Sequence, residues 1–364
     1  MTNALVSFPV FDEKPSDDYV DRWLEFTNAT GHPERFENVT TTKPEIIGTL
    51  RFLSGEIEVP IFKRENQDMV PCPICHPTGP WFKIGRMAFF PDERVVRFIG
   101  HDCAKRHYKG EFDIADERYR KEARIRHLQR RWTALAENVD RIAKFARSLA
   151  EPAKALEDLR AEIDKKESGL SKLLSRELSR NSGRIEIQVD SGVKDTSGNA
   201  VIVNDVLGLA SGSEFWGRPY VPYQQLLSLQ RDADDLKTPL PVWRSEELDS
   251  AHEEEIVRRG TSADMLPERL DDLAFLLIRS QNFFAADNLA LLERWGKNTG
   301  SPFTSLICRV ENDRLVIASN TFAGYHRVNP VIPFAAVNRS PLTPSEILTL
   351  RRPQANNRSG QLPR

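Results

Sequence analysis

The chain has 364 residues, 40% of them apolar and 29% charged, with a formal net charge of −2. That composition describes a globular protein of about two or three folding units, and the near-neutral total excludes bulk attraction to nucleic acid or an anionic membrane, so any such binding must come from a local basic face. No run of about 18 apolar residues occurs, which excludes a membrane-spanning helix.

The first residues, Met1 to Asp18, lack a basic stretch followed by a long apolar core, so no secretory signal is expected. Of the four cysteines, three fall within residues 72–103, too few and too clustered for a disulfide framework. A reducing, cytoplasmic setting is expected, where clustered Cys and His point to metal binding or catalysis.

Asp17 to Thr27 places Tyr19, Trp23 and Phe26 at helical spacing. Ile46 to Phe62 reads as two short strands about Ser54-Gly55, and residues 1–70 form an N-terminal α/β region. Residues 71–110 are the cysteine-rich unit, in which Trp81–Phe90 and Arg94–Ile99 form a hairpin joined at Pro91-Asp92-Glu93. Residues 111–182 are a helical arm rich in Glu, Lys, Arg, Ala and Leu. Residues 183–348 form a mixed α+β region. It contains strands at Arg184–Asp190 and Ala200–Val206, a polar linker at Arg231–Val242, and helix resuming at Glu246. Leu270, Leu273, Leu277, Phe284 and Leu291 give that helix an apolar face up to Trp295. A second hairpin, Ser305–Val310 with Arg314–Ser319, turns at Glu311-Asn312-Asp313. Residues 349–364, Arg-, Asn- and Pro-rich from Arg351, read as a disordered tail. The fold class expected is α+β.

The decisive stretch is Cys72-Pro73-Ile74-Cys75, followed after the hairpin by Cys103-Ala104-Lys105-Arg106-His107. A Cys-x2-Cys turn brings two thiolates to one side of a tight knuckle, the usual first half of a four-coordinate zinc site. Cys103 and His107 are four apart, so on a helix they share one face and converge on one ion. Knuckle, hairpin, then two ligands on the first turns of a helix: residues 70–110 resemble a treble-clef zinc finger. That resemblance implies one structural Zn2+ held by Cys72, Cys75, Cys103 and His107. His101 competes as fourth ligand if the strand continues to Cys103, with His76 and Asp102 as further alternatives. Four protein ligands leave no open position, so the ion would stabilise the fold and not activate water. Some nucleases share this topology, but the hairpin carries neither the His general base nor the Asn that they use.

Apolar residues recur at Ile125, Leu128, Trp132, Leu135, Val139, Ile142, Ala146 and Leu149, spaced alternately three and four, a seam of about four heptads. The register continues through Ala153, Leu156, Ile163, Leu170 and Leu174, with Arg160 and Glu167 at seam positions and a break expected at Pro152. The pattern fits a dimeric coiled coil, an antiparallel helical hairpin, or helices packed on the globular parts.

Lys83, Arg86, Arg94 and Arg97 lie on the finger's hairpin, Lys105 and Arg106 beside the metal ligands, and Arg124 in the basic start of the arm. Together they are the candidate phosphate-binding residues. No catalytic residue is expected: no GxGxxG, phosphate-binding Lys loop or GxSxG occurs. The leading reading is a zinc-binding interaction module for DNA, RNA or a protein partner, homodimeric through the arm. The alternatives are an assembly protein in which zinc and helices only scaffold self-association, and an enzyme with its site in 184–345.

Overall fold

A computed structural model describes residues 11–45, 48–75, 81–166, 168–180, 182–243, 250–298, 301–312, 314–321 and 324–328. It is an α+β protein of two compact units. Among the described residues, the first runs to Leu128 and includes Trp243, and the second covers Gln129–Val242 and continues from Ser250.

The first unit begins with α1 (Asp17–Thr30), capped by Ser16, whose Oγ accepts from the Tyr19 amide. It ends at Gly31, where φ is 74° and the amide donates to Thr27 O. A left-handed residue here favours glycine, because a Cβ would sit 2.9 Å from Pro60 O. Strands β1 (Arg51–Phe52) and β2 (Ile57–Glu58) follow, as expected around Ser54-Gly55. They do not pair with each other but both pair antiparallel with β5. β3 (Val70–Pro71) pairs with β4 (Trp81–Phe82). β5 (Ile84–Phe90) and β6 (Val95–Gly100) form the expected hairpin.

From Gly85 to Phe90 and throughout β6, every residue is buried. Side chains alternate across a strand, so this hairpin feeds two cores. Met87, Phe89, Val96 and Phe98 pack with Tyr19 and Trp23 of α1. Ala88, Phe90, Val95 and Ile99 pack with Cys72, Cys103, Tyr108 and Phe112. The hairpin is thus a two-sided platform, and the three cysteines sit on one side of it.

Helix α2 (His101–Ala136) starts directly after β6. Its helical path is interrupted at Lys109, where φ is 38° and ψ −113°. A side chain at positive φ costs about 1–3 kcal/mol, held in place by surrounding structure.

In the second unit, α2 gives way at Glu137-Asn138 to α3 (Val139–Ser148), α4 (Ala150–Lys166) and α5 (Ser168–Arg180). Pro152 lies in the first turn of α4, where its missing amide has no intrahelical role. The seam expected to pair with a second copy is instead filled from within the chain. Ile142, Ala146, Leu149, Ala153, Leu156 and Ile163 are fully buried in the core that α6 and α7 also build. Arg160, at a seam position, is buried too. It donates to Phe215 O at 2.8 Å and its guanidinium lies 4.9 Å from the Trp216 ring. Heptad spacing is also the spacing of any amphipathic helix on a globular core, which is why the pattern alone does not separate the two. Ile142→Val should therefore cost about 1 kcal/mol of unfolding free energy and leave the solution mass unchanged. A fall in mass on sedimentation would return the seam to an interface.

Strands β7 (Arg184–Lys194) and β8 (Ala200–Leu209) form a two-stranded ribbon, longer than expected. Helix α6 (Pro222–Asp235) runs into the expected linker, correcting its start. Leu226, Leu229, Ala233 and Leu236 form one buried stripe that the polar residues between them mask. Next come α7 (Ser250–Phe283), α8 (Ala286–Gly296), and a sheet of β9 (Ser305–Glu311), β10 (Arg314–Thr321) and β11 (Gly324–Val328), ordered β11-β10-β9. Leu270, Leu273, Leu277, Phe284, Leu291 and Trp295 are buried as expected. The tail from Arg351 lies outside the described residues.

Candidate metal centre

Cys72 follows β3 directly, and the Cys75 amide donates to Cys72 O at 3.1 Å, closing the knuckle. Cys103 is the third residue of α2. The short crossover from β6 into α2 thus brings it against the knuckle. The three Sγ atoms lie within 4.8 Å of one another, and the three residues could hold a metal ion. Thiolates at about 2.3 Å from a tetrahedral zinc stand about 3.8 Å apart, so the cluster needs only a small contraction to close on an ion.

One turn along α2 from Cys103, His107 places Nε2 3.8 Å from Cys75 Sγ. The imidazole therefore stands beside one of the three sulfurs, on the helical face that its spacing dictates. His101 points elsewhere. Its Nδ1 lies 3.0 Å from Glu56 Oε1, off the angle of a hydrogen bond, and its ring meets Phe112 edge-on at 5.2 Å. Asp102 is exposed, and His76 lies outside the described residues.

Burial raises the Cys103 thiol well above its ordinary range, and the neighbouring Cys72 and Cys75 sulfurs add to the rise. A cation placed among the sulfurs would offset that rise and favour the Cys103 thiolate. The donor chemistry is that of a thiolate-binding divalent ion, whose arrival displaces the protons.

No family model matches the chain, and no curated protein or solved structure is significantly similar to it. The site is read from its own geometry.

The basic residues divide into two groups. Arg86 and Arg97 are interior, on the same hairpin face as Ala88, Phe90, Val95 and Ile99. Arg86 pairs with Asp116 at 2.5 Å and Glu56 at 3.1 Å and lies over the Phe52 ring. Arg97 pairs with Glu93, donates to Thr42 O at 2.8 Å and lies over Phe90. Both guanidiniums are held by protein groups and are not placed to meet a phosphate. Of the remainder, Lys83 pairs with Glu58 at 3.2 Å and Arg94 pairs with Asp12. Lys105, Arg106 and Arg124 are exposed on α2. Sequence reasoning missed the partners, Glu56, Glu93 and Asp116. Strand parity was the available signal: it puts Arg86 and Arg97 on the apolar side, where only a counter-ion makes them tolerable.

Proposed function

We propose that residues 70–107 form a treble-clef-like finger around one structural Zn2+, with Cys72, Cys75 and Cys103 as thiolate ligands and His107 as the fourth. The observation that carries this reading is the convergence of three sulfurs within 4.8 Å, with His107 Nε2 beside one of them. Zinc would join β3 to α2 and so lock the hairpin between them. The ion supplies cross-linking alone, since a filled tetrahedral shell offers no open position to a substrate.

The finger then acts as an interaction module. Lys105 and Arg106 stand on the same helical turns as Cys103 and His107 and are exposed, so the metal would fix two cations at the surface. Fixed cations at a helix surface suit nucleic-acid phosphates. A scaffold-only reading is favoured by the interior pairing of Arg86 and Arg97, which shrinks the free basic face.

Metal analysis should give one zinc per chain. A fluorescently labelled DNA or RNA oligonucleotide should bind with strong salt dependence. Lys105→Glu with Arg106→Glu should weaken binding and lower the slope of log K against log salt by roughly one for each phosphate no longer neutralised, with the melt unchanged. Zinc without any such binding would leave the scaffold-only reading. Absence of zinc would remove the finger.

A further inference from the structure

We infer that the β7–β8 ribbon is a self-association arm that pairs with the same ribbon of a second copy of this chain. Only its base is anchored. Ile185 and Ala210 are buried, Ile187 and Leu207 pack on the core, and Gly208 abuts Leu291. Every residue from Asp190 to Ala200 is exposed. The ribbon belongs to a two-stranded sheet, so among the described residues neither of its edges has a neighbouring strand. An isolated two-stranded hairpin is marginally stable in water and needs further strands or a covering element. Ile202, Val203 and Val206 are nonetheless exposed at 54%, 41% and 45%.

The two edges are not equivalent. The pairing is regular from Glu186–Asp190 opposite Ile202–Val206, bounded by an irregularity between Asp190 and Lys194 on β7, where Gly192 takes φ +74°, and by an unpaired Leu207 on β8. The β7 edge carries Glu186 and Asp190, which a copy would set near their own like. The β8 edge reads Val201-Ile202-Val203-Asn204-Asp205-Val206-Leu207, symmetric in polarity about Asn204 except for Val203 against Asp205. Antiparallel pairing of β8 with itself about that residue sets Ile202 against Val206 twice, Asn204 against Asn204, and Asp205 against Val203. No acid then faces an acid, and the exposed Ile202 and Val206 of the two copies form two apolar cross-strand pairs on one face, either side of the Asn204 pair. The result is a four-stranded sheet in place of two marginal ribbons. The Val206 amide is met by Asp205 Oδ1 at 2.8 Å in the single chain, a local cap that such pairing would displace. A second copy is the occupant because β8 paired with itself matches exposed apolar Ile202 to Val206 and sets no acid against an acid, whereas β7 paired with itself about Gln188 would set Glu186 against Asp190.

Sedimentation equilibrium of the full chain should show a mass of twice 41.5 kDa. The double variant Ile202→Lys, Val206→Lys should weaken dimerisation at least about tenfold, since edge lysines oppose strand pairing. Its circular dichroism should be retained, because neither side chain is in the core. Position is tested separately by Asn204→Cys. Residues facing each other across antiparallel strands have Cα atoms about 4.5–5.5 Å apart, within disulfide range. Oxidation should give a covalent dimer for Asn204→Cys and none for Gln188→Cys. A monomeric wild type, a dimer indifferent to the two lysines, or cross-linking at 188 in place of 204 would each overturn the inference.

Discussion

With zinc held as proposed, replacing Cys103 with serine should abolish metal binding and unfold the first unit while the second stays folded. Cys103 is the proposed ligand whose loss would reach furthest. It is buried, and it belongs to the cluster of Ile99, Tyr108, Phe112 and Phe90 that covers one face of the β5–β6 hairpin. Structural zinc contributes on the order of 10–16 kcal/mol in isolated fingers, comparable to or larger than the roughly 5–15 kcal/mol net stability of a whole domain. A unit that loses such a term does not retain its fold. The expected readout is loss of the single metal equivalent together with rapid amide exchange over residues 84–100. Helical circular dichroism from the second unit should persist. Cys308→Ser is the control, since Cys308 lies on β9 in the other unit and should leave the metal intact. The sign with pH follows from the Cys103 thiol being raised: metal uptake must displace its proton, so affinity should fall as the solution is acidified. A wild-type melt indifferent to a strong chelator would contradict the zinc centre itself.

Arg97→Ala should destabilise the first unit by about 3–5 kcal/mol, the usual cost of breaking a buried ion pair by removing one partner. Arg97 is 1% exposed. Its Nη2 lies 2.5 Å from Glu93 Oε2 and its Nε donates to Thr42 O. Truncation leaves Glu93 largely buried with no counter-ion and Thr42 O without its donor. Urea denaturation would measure the loss. In the double variant Arg97→Ala, Glu93→Ala, the second substitution should cost much less than it does alone, because the stranded carboxylate is gone. Arg94→Ala, on the neighbouring turn with a half-exposed pair to Asp12, should change stability little. Unchanged stability in Arg97→Ala with weakened nucleic-acid binding would move Arg97 from the core to the ligand.

Local signals carry most of the fold. The Cys-x2-Cys turn, the Cys103–His107 spacing, the apolar β5–β6 pattern and the second hairpin at Glu311 are all short-range, and each element appears where its residues place it. What escapes is long-range. Glu56 and Asp116 each lie 30 residues from Arg86, and nothing nearby in sequence marks them as its partners. The helical seam is legible as apolar but its covering is not, because a heptad does not state whose surface it meets. The stop between α2 and α3 is equally silent. Asn138 is a residue type that favours N-caps, yet it makes no side-chain cap there and instead donates from Nδ2 to Ala134 O at 2.9 Å. At the candidate metal centre, the three sulfurs are legible from spacing, whereas the placing of the His101 ring beside Glu56 and edge-on to Phe112 is not.

The interruption at Lys109 falls two residues beyond His107, so the turn bearing Cys103 and His107 is a short rod separate from the long remainder of α2. The break lets the chain change direction immediately after the sulfur-bearing turns, while Tyr108 before it and Phe112 after it both stay seated in the core that holds Cys103, so one side of the hairpin anchors two differently aimed stretches of helix.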